Sequence, residues 1–326
     1  MTDFATRPAA AGPPPERSSR PAAPPTLREL VDLGARKLET GRGSAREDPR
    51  GEARRLLAAA TGLAAADLLL RLDDPAAWPA RTRFLAMVTR RAEGVPLQLL
   101  TGETGFHDVV LAVEHGVFVP RPETELLVEE ALLAIAARRG AARDAVVRVV
   151  DVGTGSGAIA IAVAHAMRGH RAEVFAGDVD PHAVRLARAN AVRCGVDVEV
   201  RRSDLCAAFA ELAGTVDVVV SNPPYVGPGE VDRLPVEVRS FDPPRALFDP
   251  EGGTGFHRKI AAAALDLLRP EGVLLLEIGE TQAAAVRCLL HGAGYADVQV
   301  LPDLAGRDRI VRGVRDGRGN PWTPSY

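Results

Sequence analysis

A glycine-rich segment that directly follows a short apolar run limits this chain to a small set of folds. The run Val147–Val152 has the β-branched composition of a buried strand, and Gly153, Gly155 and Gly157 follow it, opening a helical pattern over 157–167. Glycines at alternate positions allow positive φ angles and let a ligand approach the backbone where a Cβ atom would collide. A strand, a glycine loop and a helix in this order are typical of open α/β sheets, which bind ligands at the carboxyl ends of their strands.

The rest of the chain after residue 120 continues this alternation. We predict strands at 147–152, 173–178, 197–202, 216–221, 272–278, 296–301 and 309–314, and helices at 123–139, 157–167, 180–194, 255–268 and 281–293. The spacing predicts an α/β fold with a mostly parallel sheet covered on both faces. Only Asp303–Asp308 separate the last two strands, too short for a crossover connection, so one strand should run antiparallel. That arrangement is typical of Rossmann-like methyltransferases rather than of plain dinucleotide-binding domains.

The region before the predicted sheet has a different pattern. Residues 1–25 are rich in Pro, Ala, Gly and Arg, and we expect a disordered tail. Thr26 and Glu29 form a capping-box pattern at the start of helical periodicity. Further helices are predicted from Pro49, at Ala64–Arg71 and at Ala76–Glu93, with Gly94 as the stop. We therefore predict a helical domain over 26–94, a β-hairpin linker over 95–120 with its turn at Glu114–Gly116, an α/β domain over 121–316 and a tail over 317–326.

Composition and charge exclude several classes of protein. The chain has 40 basic and 43 acidic residues, a net charge of −3, which argues against binding driven by phosphate neutralisation, and no direct contact with nucleic acid is expected. No apolar run reaches the roughly 18 residues that a membrane span needs, and no signal-peptide pattern opens the chain. The three cysteines and seven histidines lack metal-ligand spacing. We expect a cytoplasmic protein without a metal and without a membrane partner.

Acidic residues follow the next two predicted strands. Asp178 ends the strand after the glycine loop, where a carboxylate can accept hydrogen bonds from both ribose hydroxyls, and Ser203-Asp204-Leu205 ends the following strand, placed to border an adenine ring. With Ala158 the loop also fits the dinucleotide pattern G-x-G-x-x-A, so the glycines alone leave NAD and S-adenosylmethionine open. Asp151 favours S-adenosylmethionine, whose ammonium and sulfonium groups a carboxylate attracts. The predicted cofactor-binding residues here are Gly153, Thr154, Gly155, Ser156, Gly157, Asp178, Asp204 and Leu205.

A second segment, Ser221-Asn222-Pro223-Pro224-Tyr225, directly follows the apolar strand Val216–Val220. Two prolines cannot continue a central strand, so the chain must leave the sheet here. The Asn222 side-chain oxygen and the Pro223 carbonyl offer two acceptors to a planar NH₂ group, and Tyr225 can stack beside it. Holding both N–H bonds orients a carboxamide or base-amine nitrogen toward a methyl sulfonium without a strong general base. We predict Asn222 as the catalytic residue, also in contact with the cofactor, and Asn222, Pro223, Pro224 and Tyr225 as substrate-binding residues.

The segment Phe118-Val-Pro120-Arg121-Pro122-Glu123-Thr124-Glu125-Leu126-Leu127-Val128-Glu129 resembles the F-x-P-R-P-x-T-E-x-L-V-E signature of the PrmC/HemK family. The resemblance also covers the helical region, the glycine loop, Asn222–Tyr225 and the closing stretch Gly306–Arg312. It implies a Rossmann-like class I S-adenosylmethionine methyltransferase domain behind a helical recognition domain. It also implies a substrate: the family methylates N5 of the glutamine in the Gly-Gly-Gln tripeptide of class-1 peptide chain release factors, which would dock on the helical domain.

One residue departs from the family pattern, and one motif is shared with other enzymes. Leu205 stands where some family members have a tryptophan near the adenine, so we expect weaker stacking at that position. The Asn-Pro-Pro-Tyr sequence also occurs in enzymes that methylate exocyclic amines of DNA or RNA bases. An amino-methyltransferase acting on bases is therefore the alternative function, although the acidic net charge disfavours it.

Overall fold

The computed structural model describes residues 23–41, 48–141 and 145–317. Almost all of the two predicted tails, 1–25 and 317–326, lies outside the described residues. Within the described part of the chain no helix is long and apolar enough to cross a membrane.

The described residues of the N-terminal region contain five helices, and local sequence signals explain where the first two begin. They are α1 (Leu27–Glu39), α2 (Pro49–Thr61), α3 (Ala65–Leu70), α4 (Trp78–Ala92) and α5 (Leu97–Thr101). The capping box is present: the Glu29 N–H donates to Thr26 Oγ1 at 3.2 Å, and the Thr26 N–H donates to Glu29 Oε2 at 2.8 Å. Asp48 caps α2 and Pro49 occupies its first position, as predicted. The apolar stripes of these helices meet in one core around Leu56, Leu57 and Phe84.

A two-stranded hairpin follows, made of β1 (Glu103–Phe106) and β2 (Val109–Ala112). A hairpin does lie within 95–120, but the prediction of its turn at Glu114–Gly116 was wrong, because His107 and Asp108 close it. Gly116 does make a turn at a φ of 86°, but no strand follows. Val117 is buried against Ala183 and Leu186 of the helix α8 (Pro181–Cys194) instead of pairing in a ladder.

Seven strands form the main sheet, in the order β5-β4-β3-β6-β7-β9-β8. Their bounds are β3 (Val147–Val152), β4 (Ala172–Asp178), β5 (Glu199–Arg202), β6 (Val216–Ser221), β7 (Leu268–Glu277), β8 (Tyr295–Pro302) and β9 (Asp308–Arg315). All neighbouring pairs are parallel except those of β9, which runs antiparallel to both β7 and β8. The predicted fold class is confirmed: this is the sheet of a class I methyltransferase.

Helices cover both faces of the sheet because alternate residues of each central strand point to opposite sides. On one face, Val149 packs with α6 (Glu125–Ala141), α7 (Ala158–Ala166) and α8. On the other, Val150 packs with α11 (Gly255–Leu267) and α12 (Ala283–Ala293). Strand order reverses at β3, which has β4 on one side and β6 on the other, so the carboxyl ends of β3 and β6 border the crevice where such sheets bind ligands.

The stretch between β6 and α11 contains two short helices that the sequence did not predict. These are α9 (Val236–Phe241) and α10 (Pro244–Leu247). Residues from both line the crevice beyond the sheet edge. This segment therefore forms an outer wall of the cavity described next.

Candidate active site

A cavity of about 350 Å³ opens at the carboxyl ends of β3, β4 and β6. The glycine loop forms its floor, and the loop's backbone explains why glycines stand there. Gly153 and Gly155 have φ angles of 73° and 57°, and a Cβ atom added to either would meet no atom within 4 Å. Those two positions therefore face open space that a ligand can fill closely.

Gly157 has a different role in the same loop. Its φ is 87°, and an added Cβ would lie 2.8 Å from Ile161 Cδ1 and 3.1 Å from Ala187 Cβ. It does not line the cavity. The third glycine therefore allows α7 and α8 to pack closely behind the loop rather than facing a ligand.

Asp178 joins the floor of the cavity to its rim. Its Oδ2 accepts from the Gly155 N–H and its Oδ1 accepts from the Asp180 N–H, both at 2.9 Å. Burial is the main cause that raises the pKa of Asp178 above its usual range, while these two backbone donors oppose the rise. Each carboxylate oxygen retains acceptor capacity toward the cavity, as a ribose diol requires.

Asp151 lies fully buried beneath the loop. Its Oδ2 accepts from Thr154 Oγ1 at 2.6 Å and from the Ala160 N–H at 3.3 Å. Its Oδ1 is buried and has no hydrogen-bond partner among the described residues. Burial raises the pKa of Asp151 to about 7, so the carboxyl is poised between its two forms near neutrality.

An apolar wall stands on the side of the cavity that follows β5. Leu205 and Phe256 both border the cavity, and both pack against the buried cluster that includes Ile260. Leu205 has a φ of 49°, a strained value for a residue with a branched side chain. Ser203 Oγ donates to the Leu205 carbonyl at 2.7 Å and so holds that conformation. The apolar character of this wall suits a purine ring.

The segment Asn222–Tyr225 forms the opposite side of the cavity. The Asn222 Nδ2 amide donates to Thr124 Oγ1 at 3.1 Å, which leaves its Oδ1 without a described protein donor. Burial, together with the nearby Glu277 carboxyl, raises the pKa of the Tyr225 phenol to about 12, so this hydroxyl stays protonated at neutral pH. The segment thus presents carbonyl-type acceptors and a neutral aromatic ring to the cavity.

Gln282 holds this segment from behind. Its Nε2 donates to the Tyr225 carbonyl at 2.8 Å and to the Gly253 carbonyl at 3.1 Å, and its Oε1 accepts from the Gly279 N–H at 2.9 Å. One of these three hydrogen bonds holds the backbone at Tyr225, and the other two fix the Gln282 side chain that makes it. Such preorganisation is what an orienting site needs.

Arg121 forms the rim between the cavity and the helical region. Its guanidinium donates to the buried Asp242 carboxylate and lies 5.2 Å from the centre of the Phe118 ring. Arg245, also at the rim, pairs with Asp180 at 2.7 Å. These two pairs join the α9–α10 wall to the rest of the rim.

The structure brings together nearly all the residues predicted for the site. Eleven of the twelve predicted residues border one cavity, and so does Ser203: Gly153, Thr154, Gly155, Ser156, Asp178, Asp204, Leu205, Asn222, Pro223, Pro224 and Tyr225. Gly157 is the exception. Sequence reasoning missed Thr124, Asp180, Arg245 and Phe256 as site residues. Thr124 lies within the signature segment that carried the family resemblance, so a signal for it was present; the other three stand in stretches without a recognisable pattern.

The residues present fit S-adenosylmethionine. The open space above Gly153 and Gly155 accepts a close backbone approach, Asp178 offers carboxylate oxygens beside it, and the Leu205–Phe256 wall is apolar. Asp151, with its unpartnered Oδ1, lies buried beneath the loop and does not itself border the cavity. When bound, this cofactor supplies an electrophilic methyl group on a sulfonium.

Two family models match the chain. The model described as PrmC N-terminal domain matches residues 29–102, and the model described as Methyltransferase small domain matches residues 127–237. The release factor glutamine methyltransferase of Moorella thermoacetica is 39% identical over 293 residues, covering 89% of this chain and 99% of that relative. The protein of the same name from Cereibacter sphaeroides is 41% identical over 262 residues, covering 80% of this chain and 89% of the relative.

The chain is also similar to a solved structure. It is the release factor-specific protein-(glutamine-N5) methyltransferase of Alicyclobacillus acidocaldarius. It is 28% identical, with a TM-score of 0.35, and the match covers 61% of this chain and 94% of that structure.

Proposed function

The chain belongs to the release factor glutamine methyltransferase family, and from this premise we propose that it transfers a methyl group from S-adenosylmethionine to the side-chain amide nitrogen of a release factor glutamine. The target is the glutamine of the Gly-Gly-Gln tripeptide in class-1 peptide chain release factors. The observation that carries the proposal is the geometry of one cavity, in which the glycine loop and Asn222–Tyr225 face each other across the reversal point of the sheet.

The cofactor half of the cavity is assigned to the loop and its acids. Gly153–Ser156 would lie against the methionine part, Asp178 would accept the ribose hydroxyls, and Asp204 with Leu205 would border the adenine. The open space at Gly153 and Gly155 supports this assignment, as does the position of the Asp178 oxygens. Gly157 is assigned a packing role behind the loop.

The substrate half acts by orientation and polarisation. The Asn222 Oδ1 and the Pro223 carbonyl would accept the two N–H bonds of the glutamine side chain. Holding both hydrogens fixes the nitrogen toward the cofactor and helps its delocalised lone pair to localise as the N–C bond forms. As the N–C bond forms, the bond between the methyl carbon and sulfur would break and leave the nitrogen positively charged, and the nitrogen would then release one of its two original hydrogens as a proton to solvent. Tyr225, neutral and partly buried, would pack beside the carboxamide and exclude water.

The helical region is assigned to recognition of the release factor. It is joined to the catalytic region through Arg91, which contacts Glu52 of α2 and Glu237 of α9. We infer a cytoplasmic location from the substrate class. The absence of direct nucleic-acid binding remains a prediction that rests on the net charge.

The test is a methylation assay with the full-length chain, labelled S-adenosylmethionine and a class-1 release factor. Label is expected in the release factor, and mass spectrometry of the Gly-Gly-Gln peptide should show one added methyl group. Replacing that glutamine by alanine is the matched control and should abolish the label. Label that persists in the alanine control, or that appears instead in an added DNA or RNA, would contradict the proposal.

A further inference from the structure

Glu277 is buried behind Asn222, at the end of β7, and has no place in the chemistry described so far. The strands β6 and β7 pair in parallel with Ser221 opposite Leu276, so Asn222 follows β6 beside Glu277, the last residue of β7. Glu277 is 3% exposed, and Thr124, which is bonded to Asn222, is 4% exposed. A buried carboxyl group costs folding free energy unless it is hydrogen-bonded or paired with a charge.

The side chains of Asn222, Thr124 and Glu277 lie close together. Asn222 Nδ2 donates to Thr124 Oγ1 at 3.1 Å. Thr124 and Asn222 both lie close enough to the Glu277 carboxyl to lower its pKa. The buried Glu277 Oε2 has no hydrogen-bond partner among the described residues, so it can accept from a neighbouring hydroxyl. A threonine hydroxyl has one hydrogen, and because its oxygen here accepts from Asn222, that hydrogen is available for the carboxylate.

The protonation state of Glu277 decides which of these groups donates and which accepts. An ionised carboxylate can only accept, so Thr124 must donate toward Glu277 and receive from the Asn222 amide. The amide nitrogen of Asn222 then faces the protein, and its oxygen is left for the cavity. If the last group could donate, Thr124 could instead donate to the Asn222 oxygen, and the carboxamide would be free to turn its nitrogen toward the substrate amide.

We propose that Glu277 is a positioning residue for methyl transfer, which acts through Thr124 to keep the Asn222 side-chain oxygen facing the substrate amide. This inference rests on the proposed function, since it assigns a cause to the orientation that the function requires. The backbone of Glu277 is itself fixed, because its carbonyl lies 2.8 Å from the Nε2 of the buried His257.

The surroundings of Glu277 make its positioning of Asn222 sensitive to pH. Burial raises the pKa of Glu277 to about 7, against the opposing effects of Thr124, Arg309 and Asn222, and Glu123 adds to the rise. The phenol of Tyr225, which faces the same carboxyl, stays protonated over the neutral range. Protonated Glu277 can donate a hydrogen bond, as a glutamine can. As pH falls through about 7, the fraction of Asn222 side chains whose oxygen faces the cavity should therefore decrease.

The test compares Glu277→Gln, Thr124→Val and Thr124→Ser with wild type, each as the full-length chain. Glu277→Gln and Thr124→Val are expected to lower kcat at least about tenfold, because each removes a hydrogen bond to a charged group. The Kd of S-adenosylhomocysteine, measured by calorimetry, should stay within about twofold. Thr124→Ser keeps the hydroxyl and should recover most of kcat. The wild-type kcat should rise with pH through about 7, and that rise should be absent in Glu277→Gln.

A second readout does not depend on activity. The side-chain NH₂ signals of Asn222 can be assigned by their loss in Asn222→Ala, and both should move in Thr124→Val but stay in place in Thr124→Ser. If Thr124→Val retains wild-type kcat and wild-type Asn222 signals, the inference is wrong, even where Glu277→Gln fails to fold. If wild type does not methylate a release factor, the proposed function fails, and the NH₂ signals still decide the orientation.

Discussion

Asn222 is the residue on which the proposed chemistry depends most directly. Replacing it by alanine removes one of two acceptors for the substrate amide, while the glycine loop and Asp178 remain. For Asn222→Ala we expect kcat to fall by about 10²–10³, as when one orienting hydrogen bond is removed from a reaction centre. The Kd of S-adenosylhomocysteine should change by no more than a few-fold. A parallel loss of cofactor affinity would show that Asn222 serves mainly the cofactor.

Asp178 provides the complementary test on the cofactor side. Its carboxylate holds the Gly155 and Asp180 N–H groups and faces the cavity. Asp178→Ala is expected to weaken S-adenosylhomocysteine binding about 10- to 100-fold, the range for losing hydrogen bonds to a charged group. Calorimetric titration measures this, with the exposed Asp197→Ala as the control of equal charge. Unchanged affinity in Asp178→Ala would remove the ribose role from this residue.

Asp151 predicts a pH effect on stability. Its pKa of about 7 in the folded chain exceeds the ordinary value of 3.8, so the folded state keeps a proton that the unfolded state has released. Between pH 4 and 7 unfolding therefore releases a proton, and rising pH favours the unfolded chain. Relative to Asp151→Asn, wild type should lose up to about 1.4 kcal/mol of unfolding free energy per pH unit in that window.

Urea unfolding of wild type and Asp151→Asn at pH 5, 6, 7 and 8, without added cofactor, measures this difference. Above about pH 7 both states are ionised, and the difference between the two proteins should become constant. The exposed Asp197→Asn pair is the control and should show no such trend. A difference that does not vary with pH would mean that Asp151 is ionised in the folded chain throughout.

The site residues that could be predicted are those that follow apolar strands directly. Asp178 and Asn222 end or follow β4 and β6, and the carboxyl ends of parallel strands meet at one edge of a sheet. Glu277 ends β7 in the same way, yet in the sequence it reads as the last residue of an apolar strand. Its role depends on Thr124, about 150 positions away in the chain, and no local pattern reports such a contact.

At the scale of elements, two glycines of the same loop have different roles: Gly155 faces the cavity, and Gly157 allows two helices to pack closely. Gly155→Ala places a Cβ in open cavity, so we expect a loss of about 1–2 kcal/mol from the left-handed backbone and at least tenfold weaker cofactor binding. Gly157→Ala adds a steric contact with Ile161 and Ala187, so the loss of unfolding free energy should reach about 2–4 kcal/mol.

Gly169→Ala is the matched control for this pair. Gly169 has a φ of 77°, no atom within 4 Å of an added Cβ and no place in the cavity. It should carry the same backbone strain as Gly155→Ala with unchanged affinity for S-adenosylhomocysteine. Chemical denaturation and calorimetry measure the two effects separately. Equal affinities in Gly155→Ala and Gly169→Ala would mean that the ligand does not lie against Gly155.

Elements with strong periodicity could be predicted from the sequence, and those without it could not. The strands and long helices of the sheet appear within a few residues of their predicted bounds, because each has one apolar face or is buried on both. The helices α9 and α10 have six and four residues, fewer than two turns, so no apolar stripe can develop. The hairpin turn at His107 was missed because it lacks the glycine or asparagine that such turns usually carry.

At the scale of the whole molecule, Arg91 links the helical region to the wall of the cavity. It makes two bonds to Glu52, at 2.8 and 2.9 Å, and one to Glu237 of α9 at 3.1 Å. The bonds to Glu52 stay within the helical region, whereas the bond to Glu237 crosses to the segment that covers the cavity. In the proposed function, the distance between the helical region, assigned to release factor recognition, and the glutamine site depends in part on this contact.

Glu237→Ala is expected to loosen that link without unfolding the chain. Glu237 is 30% exposed and Arg91 keeps Glu52, so the loss of unfolding free energy should stay below about 1 kcal/mol. The KM for the release factor should rise several-fold, while kcat and the Kd of S-adenosylhomocysteine stay near wild type, because a correctly seated glutamine meets an unchanged site. The exposed Glu39→Ala removes the same charge from α1 and should leave KM unchanged. If Glu237→Ala lowers kcat instead and leaves KM alone, α9 acts on the reaction centre rather than on how the two regions are held together.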